Sequence, residues 1–279
     1  MNKEFTRQEI NAVLLYQGCG VPGEYDAFYH QDSAYRCFNM LMMEGQSGER
    51  VRICAEGQRP DKINILRWEK TLEILEQLFT VQCKFARQQT EAGKPLPNPL
   101  ARGDRKVNFD LMCAAGGTVA FTSTSKGEVQ DDFLFGKQEP HALHITLSGQ
   151  VPYLDFEEFF GSAYSFENER EVLLPPMVKM VCGDCRMEHH PGIGPVPHYD
   201  ITFTGFGVDI EAVDEDAAKA FLHDHAAAAA DALTDLVKNK LDAAVWADDR
   251  HIYWQWKAAF RKLTLQRMQK IYESYYGEK

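Results

Sequence analysis

Between Asp61 and Gln89 the apolar positions Ile65, Trp68, Leu72, Leu75, Phe79, Cys83 and Ala86 fall at steps of three and four. This spacing predicts a helix over about 61–92 with one buried stripe, and Asp61 stands where an N-cap belongs. The run Gly93-Lys94-Pro95-Leu96-Pro97-Asn98-Pro99 ends it, because each proline lacks an amide donor and blocks the turn before it. From about residue 100 to 210 the pattern changes to short β-branched and aromatic segments separated by Gly, Pro and Asp. Strands are predicted at Val119–Thr124, Leu143–Leu147, Glu171–Leu174, Met177–Val181 and Tyr199–Phe203. Helical spacing returns after Asp214, a second N-cap candidate. Leu233, Leu236, Val237 and Leu241 form one stripe, and Trp256, Phe260, Leu263 and Ile271 another, with a break at Asp248 and Asp249.

Helices, then strands, then helices predict an α+β fold rather than alternating βαβ units. Neither a glycine-rich dinucleotide turn after a strand nor a phosphate-binding P-loop motif is present, so a nucleotide would have to bind another way. With 279 residues, 44% hydrophobic and 25% charged, the chain can bury a substantial core. The formal net charge of −11 and the lack of a basic stripe exclude a nucleic-acid scaffold. No apolar run is long enough to span a bilayer. The alanine run Ala226 to Ala230 is flanked by His225 and Asp231, so no membrane partner is expected.

The seven cysteines are an odd number in core-like contexts, and no apolar leader follows Met1-Asn2-Lys3-Glu4. They predict reduced thiols in a soluble protein, cytoplasmic or delivered into a target cell without a secretory signal peptide.

The chemistry-bearing residues come in a fixed order: Arg102-Gly103, then Ser123-Thr124-Ser125, then Glu169-Arg170-Glu171 running into Val172-Leu173-Leu174. On a strand, side chains alternate faces, so acids at i and i+2 share one face. This order resembles the Arg-Ser-Glu class of mono-ADP-ribosyltransferases, which includes clostridial binary toxins, vertebrate ecto-transferases and phage-borne enzymes, over roughly residues 8 to 210. The resemblance implies a split-sheet core with N-terminal helices in an ADP-ribosyltransferase domain over 1–211 (helical 1–99, sheet core 100–211), and a helical extension over 212–279 that the family does not match.

It also implies NAD⁺ as substrate, an arginine on a target protein as acceptor, and inactivation of that target by a toxin or effector. By resemblance, Glu171 stabilises the oxocarbenium-like transition state and Glu169 orients and deprotonates the acceptor guanidinium. Ser123 holds Glu171, while Thr124, Ser125 and Phe121 line the cofactor pocket. Arg102 with Gly103 takes the phosphates, and Tyr164 and Phe166 recognise the acceptor. Glu167-x-Glu169 offers a second register, but the apolar run begins directly after Glu171, as in the family. Relatives carry an aromatic before the arginine where this chain has Ala101, which leaves Arg105 as the alternative phosphate ligand. Arg102-Gly103-Asp104 also spells an adhesion tripeptide, for which nothing else in the chain supplies a context.

Two rival readings remain: an NAD⁺ glycohydrolase on the same fold, and a non-catalytic binding module. Cys182-x-x-Cys185-x-x-x-His189-His190, with His198 beyond, has partial zinc-ligand spacing. The segment falls where the family has a hairpin connection, and Pro191 to Pro195 reads as loop. No metal is expected there, with zinc as the alternative. His141 and His144, like His223 and His225, read as isolated surface or core histidines.

Overall fold

The structure, a computed structural model, describes residues 4–18, 34–43, 62–161, 170–207, 212–238 and 251–277. In chain order the elements are α1 (Arg7–Tyr16), α2 (Ala34–Met42), α3 (Ile63–Leu66), α4 (Trp68–Glu91), β1 (Leu100–Arg105), α5 (Lys106–Ala115), β2 (Thr122–Lys126) and a 3-10 turn at Asp131–Phe133. There follow β3 (Pro140–Leu147), β4 (Leu154–Asp155), α6 (Phe156–Phe160), β5 (Glu171–Leu174), β6 (Val178–His190), β7 (Gly194–Phe206), α7 (Glu215–Lys238) and α8 (Ile252–Tyr276). The α+β class holds.

The chain forms two compact units. One contains residues 81–209 with the last turns of the chain, and the other contains residues 5–80 and 210–271. In the first, the seven strands among the described residues join one sheet in the order β4-β5-β2-β1-β3-β7-β6. Its pairs are antiparallel except β3 with β7, where Ala142 aligns with His198 and Leu147 with Phe203. Leu143, Ile145, Val172, Leu173, Ile201 and Phe203 are almost wholly buried in this sheet. Each such side chain contributes about 1.5–3 kcal/mol relative to exposure.

Strand β5 has the predicted bounds. Strand β1 was not predicted, because Leu-Ala-Arg-Gly-Asp-Arg contains no β-branched residue. Its extension comes from pairing on both sides, with β2 and with β3. Strand β6 runs far beyond Val181 because it lies at the sheet edge, where polar residues line both faces and leave no apolar alternation to read. The β6–β7 hairpin forms as expected, turning at residues 191–193.

In the second unit the side chain of Asp214 caps α7, accepting from the amides of Asp216 at 3.0 Å and Ala217 at 3.1 Å. A reciprocal Thr6/Glu9 capping box opens α1. Helix α8 packs on α7 through Trp256, whose indole Nε1 donates to the Leu222 carbonyl at 3.0 Å and whose ring stacks on Phe260. The N-cap expected at Asp61 and the break at Asp248 and Asp249 lie outside the described residues.

Candidate active site

Adjacent antiparallel strands bring Ser123, Ser125 and Glu171 together. The β2–β5 ladder sets Ser125 directly opposite Glu171, Thr124 opposite Val172 and Ser123 opposite Leu173. Opposed side chains share a face, so Glu171, Ser125 and Ser123 lie on one side of the sheet. Ser125 is the immediate neighbour of Glu171, and Ser123 is its diagonal neighbour, within reach of a long side chain. Thr124 points the other way, is buried, and donates its hydroxyl to the Val172 carbonyl at 2.7 Å, tying the two strands together. Phe121, just before β2, is buried in the core. Glu171 is half-buried. Glu169, Tyr164 and Phe166 lie outside the described residues.

Arg102 enters from the neighbouring strand. The β1–β2 ladder pairs Leu100 with Lys126 and Ala101 with Ser125. One residue beyond, the Arg102 guanidinium reaches across, with Nη1 donating to the Ser123 carbonyl at 2.5 Å and Nε donating to Asp104 Oδ2 at 2.7 Å. The arginine therefore touches the strand that carries the serines.

Asp104 was not predicted as part of the site. It is 3% exposed, and its Oδ1 accepts from the Arg105 amide at 2.8 Å and from Asn108 Nδ2 at 2.7 Å. Burial alone would raise its carboxyl, but the charge and hydrogen bond of Arg102, with those of Asn108 and the Arg105 amide, outweigh that and hold it below the usual value. A buried, fully engaged aspartate also removes the adhesion reading of Arg102-Gly103-Asp104. Gly103 is required by close approach, since a Cβ there would stand 2.2 Å from the Phe133 carbonyl oxygen.

Lys137, on the segment after the 3-10 turn, is a second residue that sequence reasoning missed. Burial pushes its ammonium down, and repulsion from Arg102 and Arg105 adds to this against the attraction of Asp104. Lys137 thus shares the electrostatic surroundings of Arg102, Arg105 and the buried Asp104. No motif marks Lys137; only the fold of the 131–139 segment over β1 places it there. At the far end of the β2–β5 ladder, where the Lys126 amide donates to the Arg170 carbonyl at 3.1 Å, a cleft of about 330 Å³ opens. Its lining includes Lys126, Gly127, Tyr153, Asp155 and Arg170.

No family profile matches the chain, and no curated protein is similar to it. Among the solved structures that resemble it over part of their length are two toxin components. One is the ADP-ribosylating toxin BECa of a binary enterotoxin of C. perfringens, with NADH, at 14% identity and a TM-score of 0.42 over 72% of this chain and 44% of that one. The other is the enzymatic component C2-I of the C2 toxin of Clostridium botulinum, at 12% identity and a TM-score of 0.43 over 74% of this chain and 45% of that one. The chain spans less than half the length of either.

Proposed function

We propose that the protein is a mono-ADP-ribosyltransferase that moves ADP-ribose from NAD⁺ to an arginine side chain of a target protein, releasing nicotinamide and inactivating the target. The observation that supports this most is the placement of Ser123, Ser125 and Glu171 on one face of neighbouring strands β2 and β5, with Arg102 reaching the Ser123 carbonyl from β1.

Breaking the bond between ribose and nicotinamide passes through an oxocarbenium-like transition state, as in glycoside cleavage. Nicotinamide leaves as a neutral base, so no general acid is needed. Negative charge near the developing cation is needed, and Glu171 supplies it from a half-buried position where electrostatic stabilisation is strong. Glu169, two residues earlier in the sequence, is assigned to the acceptor. A guanidinium keeps its proton at neutral pH and attacks only when a carboxylate orients it and takes that proton.

Arg102, Arg105 and Lys137 provide the positive corner that a pyrophosphate needs. The fork of Arg102, already oriented by Asp104 and the Ser123 carbonyl, is held for anion binding with little further loss of side-chain freedom. NAD⁺-dependent thermal stabilisation tests the binding half of this reading. An upward shift of the melting temperature with NAD⁺, reduced in Arg102→Lys, supports it; no shift at millimolar NAD⁺ overturns it.

A further inference from the structure

At the opposite end of the sheet from Glu171, three histidines converge from three strands. His198 Nε2 lies 2.7 Å from His190 Nε2, and His198 Nδ1 lies 2.8 Å from His144 Nε2. The far side of His190 is fixed by Asp131, whose Oδ1 is 2.5 Å from Nδ1. His144 Nε2 also receives Arg186 Nη2 at 3.1 Å. His198 and His190 are buried, at 3% and 9% exposure.

Counting protons along this chain exposes a conflict. An ionised Asp131 only accepts, so His190 Nδ1 must carry hydrogen. Arg186 only donates, so His144 Nε2 accepts, and His198 Nδ1 must carry hydrogen as well. The contact between the two Nε2 atoms needs one more. Two buried rings would then share three N–H hydrogens, which makes one of them an imidazolium. Burial of the two rings disfavours that charge.

We propose that a divalent transition metal of the zinc class takes the place of that shared proton, bound by His190 Nε2, His198 Nε2 and the Glu188 carboxylate. One ligand atom from each of these three residues lies within 4.8 Å of the others, and Glu188 Oε1 stands 3.7 Å from His198 Nδ1, so its exposed side chain must turn to join the two facing nitrogens. The metal satisfies both facing nitrogens while both rings stay neutral. Zinc–nitrogen bonds of about 2.0–2.1 Å need only a small opening of the two rings.

The outer contacts are those that orient metal-binding histidines, with a carboxylate on the Nδ1 of His190 and an imidazole on the Nδ1 of His198. Four carboxylates touch the cluster or its arginine: Asp131 at His190, Glu128 at His144, and Glu188 and Asp200 at Arg186. They outnumber the single guanidinium and favour a cation. Two residues along the same face of β7, Val196 packs with Leu134 and Ala142 in a buried apolar cluster. Cys182, Cys185 and His189 are exposed and take no part, so of the residues with partial zinc-ligand spacing only His190 and His198 are ligands here.

The test is calorimetric titration of the metal-stripped protein with Zn²⁺, alongside metal analysis after dialysis. The expected result is one equivalent per chain that weakens as pH falls from about 7.5 to 5.5, because protons compete for the same nitrogens. His198→Gln should abolish binding. Asp131→Asn and Glu188→Gln, at exposed positions that keep the fold, should each weaken it by about 10–100-fold. The double variant Cys182→Ser/Cys185→Ser should bind as wild type. No stoichiometric Zn²⁺ binding by wild type, or binding lost with the cysteines but kept in Asp131→Asn and Glu188→Gln, would overturn the site.

Discussion

Arg102 and Asp104 sit two residues apart on β1 and are joined by a 2.7 Å hydrogen bond from Nε to Oδ2, with the aspartate buried and the arginine three-quarters covered. Asp104 is thereby the support of the residue assigned to the NAD⁺ phosphates, and its other oxygen anchors the first turn of α5 through Arg105 and Asn108.

Removing the guanidinium leaves a buried carboxylate without its main counter-charge. Arg102→Ala should therefore cost about 3–5 kcal/mol of stability. Arg102→Lys keeps the charge but cannot hold Asp104 and the Ser123 carbonyl together, so it should lose less stability while raising the KM for NAD⁺ about tenfold or more. Urea unfolding and steady-state kinetics on the two variants separate these effects.

Gly103→Ala places a methyl group against the Phe133 carbonyl, where a backbone rather than a flexible side chain must move. The expected loss is about 1–3 kcal/mol, visible as a lower melting temperature. An unchanged midpoint would mean that the 131–133 turn gives way freely.

Much of the fold was legible because strands β3, β5 and β7 and the long helices carry strong periodicity. Glu171–Leu174 was bounded correctly since an apolar run starts sharply after a charged residue. Strand β1 carries Arg102 yet has no strand signal of its own; its conformation comes from its two neighbours. The order Arg, Ser-Thr-Ser, Glu-x-Glu was readable, but the supporting roles of Asp104 and Lys137 were not, because they depend on which segment folds over which strand. His190 and His198 stood out only beside Cys182 and Cys185, and that His144 and Glu188 join them was not readable for the same reason. His144 and His198 are distant in sequence and meet only through the parallel β3–β7 pair.

Lys137 is within electrostatic reach of Arg102, the residue that the proposal assigns to the NAD⁺ phosphates. Lys137→Ala should raise the KM for NAD⁺ about tenfold with kcat nearly unchanged, the signature of binding lost equally from ground and transition states. A fall in kcat alone would place Lys137 at the chemistry.

In the helical unit Glu215 accepts from Lys270 and, at 3.2 Å, from Arg267, which also holds Glu76. The Lys270 hydrogen bond, with Arg267 and Gln266 and against the opposing effect of burial, holds the Glu215 carboxyl down to about 2 from an ordinary 4.5. A depressed carboxylate contributes its stability in full above its unfolded pKa and loses it as pH falls through its folded value. Stability should therefore drop between about pH 4.5 and 2, and Glu215→Gln should remove that part of the slope, as read by denaturant unfolding at each pH. Glu76, raised mainly by burial, acts in the opposite sense and makes the difference between the two proteins the informative quantity.

The central claim rests on Glu171 and Glu169 having separate tasks, and transfer of labelled ADP-ribose from NAD⁺ to proteins of a cell lysate, with free nicotinamide quantified in parallel, tests it most directly. Wild type should label protein and release nicotinamide. Glu171→Gln should lose both by a factor of about 10²–10³, while Glu169→Gln should lose labelling but still release nicotinamide. Wild type that neither labels protein nor releases nicotinamide, or a Glu171→Gln variant as active as wild type, would contradict the account.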